Sequence, residues 1–348
     1  MIDPSTFERC ERATLVFDLA QIERTMQRVA DAARATGIVP LFALKSFPHP
    51  RVRALAAQHL AGFDVASLGE LHEAPPVSIL SIVDPTGAAI AHAPKTARVI
   101  VGCETVDHVR AAPAHAEIAI RVSASITERD PAVGALLEGS GRRRSRFGLD
   151  DREHIAALVH AAAGRPIGVH VHHGPVTATN AERFIATARA ALALFDHEPA
   201  FIDLGGAWHA ITDLDAAFAE IRAALPSALE ILVEPGRLYA HDAGFATGRV
   251  LATREVGDRT LRVVELSRIC HLRWSQVELV ARAPRPGEGR KVQLVGPTCY
   301  EDDTIGEWIV EPADVAERVV LRNVSGYALA WNTSFGGVPA ADVVVVNA

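Results

Sequence analysis

Lysine is nearly missing from this chain. Of its 35 basic residues only Lys45, Lys95 and Lys291 are lysines, and the other 32 are arginines. A guanidinium stays protonated and cannot act as a nucleophile, so a lysine in this background marks a place where an amine is needed. Cysteine is scarce too. Cys10, Cys103, Cys270 and Cys299 are scattered without a CxxC pair, which speaks against a disulfide scaffold and a structural zinc site. Long apolar runs are also missing, and stretches such as 343–346 fall far short of a bilayer span. The opening Met1-Ile2-Asp3-Pro4 lacks the basic-then-apolar order of a signal peptide, so a reducing, cytoplasmic setting is expected. There is no basic tail, and a net charge of −7 makes nucleic acid and anionic membrane poor partners. What is present is an ordinary globular composition, 49% apolar and 22% charged. Its 348 residues suffice for one large domain or two ordinary ones.

Short apolar runs alternate with amphipathic stretches through the first two thirds. Strands are expected at 41–44, 62–66, 77–83, 98–101, 117–122, 167–171, 200–204 and 230–233. Helical spacing falls at 20–36, 49–60, 106–112, 151–163, 181–195 and 214–225. Eight strands, mostly followed by helices, over roughly 200 residues predict an α/β fold, a (β/α)8 TIM barrel spanning 20–244. No helix can be placed in the Pro-containing link before residue 98. After about residue 245 short alternating runs at 248–254, 262–266, 277–282, 292–295 and 318–321, broken by Pro284-Arg285-Pro286-Gly287, predict a C-terminal antiparallel β domain. The run 13–18 reads as a strand of that domain, which would comprise 1–19 plus 245–348.

Barrel chemistry collects at the C-terminal strand ends. The first strand ends Phe42-Ala43-Leu44-Lys45, and a lysine closing an apolar run is either a partly desolvated nucleophile or one that snorkels to the rim. The sixth runs into His170-Val171-His172-His173-Gly174. A metal would need further ligands, of which the other strand ends offer Asp203 and Glu234, so a metal-dependent hydrolase is disfavoured. An imidazole at His172 fits a planar ligand equally well. The seventh and eighth strands end Asp203-Leu204-Gly205-Gly206-Ala207 and Glu234-Pro235-Gly236-Arg237, small-residue turns suited to cradling a phosphate with backbone N–H groups. An amine, a flat imidazole, a phosphate cradle and a carboxylate together complement pyridoxal 5′-phosphate.

These motifs, with Gly62-Phe63-Asp64-Val65 and, later, His271-Leu272-Arg273, Gly296-Pro297-Thr298-Cys299, Asp303 and Ser325-Gly326-Tyr327, occur in an order that resembles the fold-type III pyridoxal-phosphate decarboxylases, the family of diaminopimelate and ornithine/arginine decarboxylases. The resemblance covers nearly the whole chain. It implies that Lys45 holds the cofactor as a Schiff base, with Asp64 nearby and His172 stacked on the ring. It further implies phosphate binding at Gly205, Gly206, Gly236, Arg237 and Tyr327, a pyridinium partner at Glu234 and support from Arg121, with Arg146-Phe147-Gly148 another family-like tripeptide. Cys299, as proton donor, and Asp303 would be offered to the active site of a second subunit, making a homodimer with shared sites. Three departures stand out: Pro175 replaces a small hydroxyl residue, Ala207 a third glycine, and Tyr300 an acidic residue that reads the far end of the substrate. With Arg273 and His209 as candidate substrate-binding groups, Tyr300 points to a non-standard or carboxylate-bearing amino acid, plausibly in siderophore or other secondary metabolism. The alternatives are an amino-acid racemase on this scaffold and a catalytically silent cofactor-binding homologue. Arg142-Arg143-Arg144 reads as a solvated loop.

Overall fold

A computed structural model describes residues 2–129, 145–172, 181–206, 208–281 and 289–347. Arg142 to Arg144, His173, Gly174, Pro175, Ala207 and Pro284 to Gly287 lie outside these described residues. The chain divides into two compact units. One comprises Met26–Lys45 and Arg53–Leu238; the other comprises Met1–Thr25, Ser46–Val52 and Tyr239–Ala348.

After strand β1 (Thr14–Asp18), the first of these units closes β2 (Ile38–Ala43), β3 (Gly62–Val65), β4 (Ile79–Ile82), β5 (Arg98–Cys103), β6 (Glu117–Val122), β7 (Ile167–His172), β8 (Phe201–Gly205) and β9 (Glu230–Glu234) into a parallel barrel. The expected strands are therefore present. The link between β4 and β5 carries only a 3-10 turn, Ile90–His92, because the Asp84 carboxylate ties the loop by accepting from the Thr86 hydroxyl and the amides of Thr86 and Ala89. A short helix at Leu68–Glu73 escaped periodicity because it is six residues long. Its start is nonetheless written in the sequence: the Ser67 hydroxyl accepts from the Glu70 amide, and the Glu70 carboxylate reaches back to the Ala66 amide.

The barrel strands alternate with period two, mostly branched or aromatic side chains outward and mixed types inward. The inward groups form layers. At the N-terminal end Arg98 pairs in forked fashion with both Glu117 and Glu230, at 2.6–2.8 Å. Above it Leu41, Ile100, Ala119, Phe201 and Leu232 make a dry middle layer. Gly168 exists for that layer, since a Cβ there would lie 2.2 Å from the Phe201 ring. The next layer is polar, with Arg121, His170 and Asp203 in register across β6, β7 and β8. The mouth above it holds His172, Gly205 and Glu234, again in register. A sheet buried on both faces is normally apolar throughout, so this polar upper half calls for a ligand.

The other unit is a mixed sheet rather than a purely antiparallel one. β10 (Gly244–Val256) pairs antiparallel with β1, with β11 (Arg259–Val264) and with β15 (Arg318–Arg322), which in turn pairs with β12 (Glu278–Leu279); β13 (Arg290–Val295) pairs antiparallel with β14 (Thr304–Val310). Two pairings are parallel, β11 with β13 and β1 with β16 (Asp342–Val346). The 13–18 run thus joins this sheet as expected, while β14 and β16 were not anticipated.

Candidate active site

β2 runs into a 3-10 turn, Leu44–Ser46, which places Lys45 at the C-terminal rim. Its ammonium forms an ion pair with Asp64 of β3, whose carboxylate is fully buried and whose Oδ1 has no hydrogen-bond partner among the described residues. The Lys45 side chain is about one-third exposed, so the amine is fixed by a buried acid and still open to a ligand. Glu70 adds its charge to the pair, and burial pushes its carboxyl above the usual carboxylate range.

Across the mouth, the Glu234 carboxylate lies 3.9 Å from His172 Nδ1 and 3.9 Å from His170 Nε2. Gly205 makes this approach possible, because a Cβ there would sit 2.4 Å from His172 Nδ1 and 2.7 Å from Glu234 Oε2. Gly206 follows with φ 144°, a backbone conformation that favours glycine. His172 is half-exposed and presents its ring to the opening, whereas His170, Asp203 and Glu234 are buried. Neither ring nitrogen of His170, neither oxygen of Asp203, nor Glu234 Oε1 has a hydrogen-bond partner among the described residues. Burial, together with Arg121, holds His170 well below the ordinary imidazole value and hence neutral. Burial raises Glu234 well above the carboxylate range, and the neighbouring Asp203 adds to it.

Arg121 is positioned rather than free. It pairs with Glu104 at 3.4 Å and lies over the Phe147 ring at 4.4 Å, on whose face Arg146 also packs. Glu104 in turn accepts from the Gly148 amide, and Gly148 has φ 81° and no room for a side chain against Ser123. The Arg146-Phe147-Gly148 tripeptide thus braces Arg121. At the ends of β8 and β9, Arg237 approaches His209 at 3.5 Å, beside the buried Gly236. His209 therefore sits with a residue expected at the phosphate. The adjacent Trp208 anchors this turn by donating to the Leu204 carbonyl and stacking on Phe184.

In the sheet unit Cys299 and Tyr300 are exposed on one turn. Asp303, expected to meet a ligand, is instead buried. Its carboxylate accepts from the hydroxyls of Ser267 and Thr298 and from the amides of Arg268 and Thr298. It also fills the space over Gly296, where a Cβ would lie 2.1 Å from it. With its oxygens engaged by its own unit, Asp303 fastens the Cys299 turn. Arg273 lies over Trp331 at 4.8 Å, Trp274 meets Tyr327 edge-on, and Tyr300 meets Phe335 edge-on. The structure thus brings Lys45, Asp64, His172, Gly205 and Glu234 together at the barrel mouth, with Arg121 braced in the layer beneath, and places Cys299, Tyr300, Arg273, Asp303 and Tyr327 in the other unit.

Sequence reasoning weighed Asp203 and His170 only as metal ligands and gave them no part in cofactor binding, although each is a polar residue inside an apolar strand run. With Glu234 they offer a buried set of polar groups unmet among the described residues, beside an exposed imidazole, a Lys–Asp pair and two glycine turns. That donor set fits a planar cationic ring carrying an aldehyde and a phosphate. His170, His172 and Glu234 also converge to within 4.8 Å, a spacing that suits a metal ion as well.

Residues 19–241 match the family model described as pyridoxal-dependent decarboxylase, pyridoxal binding domain. The chain is 28% identical to the diaminopimelate decarboxylase of Deinococcus radiodurans, over 70% of this chain and 65% of that enzyme, just under two thirds of its length. It is 25% identical to the diaminopimelate decarboxylase of Pseudomonas aeruginosa, over 98% of this chain and 89% of that one. The lysine/ornithine decarboxylase of Vibrio vulnificus, solved with putrescine, shares the fold with a TM-score of 0.77 at 18% identity, over 99% of this chain and 96% of that one.

Proposed function

The chain belongs to the pyridoxal-dependent decarboxylase family, and we propose that it removes CO₂ from an amino acid whose distal end is not a simple amine. The observation that carries this reading is Glu234, a buried carboxyl with an oxygen unmet among the described residues, beside His172 and across the barrel mouth from the Lys45–Asp64 pair. Pyridoxal 5′-phosphate, the family's cofactor, supplies when bound an electron sink that weakens a bond to the carbon bearing the substrate's amine.

The chain's own residues do the rest. Lys45 provides the amine for the cofactor's aldehyde, and Asp64 steadies that nitrogen while it is charged. Glu234 accepts a hydrogen bond from the protonated ring nitrogen, which keeps the sink strong and favours decarboxylation over racemisation. His172 packs against the ring, and the amides at Gly205, Gly206, Gly236 and Arg237 bind phosphate. Cys299 returns a proton to the carbon that lost CO₂. We assign its turn to the barrel mouth of a second copy, so that the working unit is a homodimer.

For the substrate, Tyr300 is a phenol where the family resemblance implies an acid, and Arg273, in the same unit, is exposed and lies over an indole. Both favour a distal carboxylate or another acceptor-rich group. The test has two parts. Borohydride treatment and peptide mapping should label Lys45, and CO₂ release should be measured over a panel of basic, diamino and carboxylate-bearing amino acids. Lysine or ornithine as best substrate would overturn the specificity, loss of optical rotation without CO₂ would turn decarboxylase into racemase, and an unlabelled Lys45 would remove the reading altogether.

A further inference from the structure

The upper barrel buries more carboxylate than cation. Asp64 is matched by Lys45 and Glu104 by Arg121. Asp203 and Glu234 sit one pleat apart on neighbouring strands, 1% and 4% exposed, with no ammonium or guanidinium in hydrogen-bond contact among the described residues. The groups facing them are Asp64 from β3, Lys45 after β2, Arg121 from β6 and the two imidazoles of β7, of which His170 is neutral. Two adjacent carboxyls excluded from water do not both ionise, so one proton stays with the pair.

Resting on the function proposed above, we propose that Asp203 is a positioning residue that takes this proton when Glu234 ionises against the cofactor's ring nitrogen, and as a carboxylic acid donates a hydrogen bond that holds the Glu234 carboxylate in place. The balance is simple: an O–H bond on Glu234 breaks, one on Asp203 forms, and no proton enters or leaves the pair. The ring nitrogen brings its own proton, and its positive charge is met by the carboxylate. Without Asp203, Glu234 would be a lone buried anion or would stay protonated and fail as an acceptor.

The experiment compares wild type, Asp203→Asn and Asp203→Ala by titrating cofactor-free protein with pyridoxal 5′-phosphate and by infrared spectroscopy of both forms. Asparagine is neutral, isosteric and still a donor, so Asp203→Asn should bind the cofactor within about threefold of wild type, whereas Asp203→Ala should bind about tenfold or more weakly. The loaded wild type should show a protonated-carboxyl band that Asp203→Asn lacks. An Asp203→Asn variant as weak as Asp203→Ala, or a loaded wild type without that band, would overturn the proposal, because either means that Asp203 works as an anion. Should wild type take up no cofactor at all, the functional reading fails separately. The shared proton then stands or falls on the same band in cofactor-free protein, its absence overturning it.

Discussion

A single proton sets the behaviour of the barrel mouth at the residue scale. Burial lifts Asp203 from the usual carboxylate range to about 7, with the Asp64 charge adding to it, and also lifts Glu234 well above that range. Both raised values mean that the folded protein keeps protons the unfolded chain has given up. Their stabilisation is complete below the ordinary carboxylate values and is lost as pH rises through the folded-state ones. Cofactor-free protein should therefore lose stability, of the order of a few kcal/mol, between about pH 4 and pH 7 and beyond. Neutral His170 acts in the opposite sense, since the unfolded chain binds its proton below the ordinary imidazole value. Melting temperatures across this range should fall toward alkaline pH in wild type and flatten in Asp203→Asn. An unchanged slope in the variant would place the titration elsewhere.

At the scale of elements, two glycines of neighbouring strands show what each layer does. In β7, a methyl at Gly168 would strike the Phe201 ring in the closed middle layer, which has no room to yield. Gly168→Ala should cost about 1–3 kcal/mol of stability, read by urea unfolding. In β8, a methyl at Gly205 would strike the movable ends of His172 and Glu234. Gly205→Ala should leave stability within about 1 kcal/mol and weaken cofactor binding about tenfold or more, read by absorbance titration. At the base, Arg98→Met would strand Glu117 and Glu230 against each other, and a loss of about 2–3 kcal/mol is expected in the same unfolding assay. The element pattern was legible because parallel barrel strands are apolar runs separated by helices. The two late strands at 304–310 and 342–346 were missed because an edge strand that is half polar, or a valine run near a terminus, has no periodicity to separate it from a loop.

For the whole molecule, the question is whether one copy suffices. If Cys299 serves the mouth of a second copy, Lys45→Ala and Cys299→Ala chains, each inactive alone, should recover activity when mixed. Random pairing puts one intact site on half of the dimers, about a quarter of wild-type activity. No recovery after confirmed exchange of subunits would mean that each chain completes its own site. Among the described residues no helix is long and apolar enough to cross a membrane. The Trp274, Tyr300, Trp331 and Phe335 rings exposed on the sheet unit give a pairing face something to bury.

The amino-acid sequence alone determined the alternation of strand and helix, the shift to a sheet domain, and the lysine, histidine, glycine and glutamate at successive strand ends. Those features are local: periodicity, turn chemistry and the rarity of lysine act over a few residues. Only the closed barrel decided which side chains share a layer. It set His170, Asp203 and Glu234 close together with no cation in hydrogen-bond contact among the described residues, while the fold of the sheet unit gave Asp303 to the interior instead of the surface. Burial and the charge of a distant neighbour are properties of packing, and they settle which carboxyl keeps its proton.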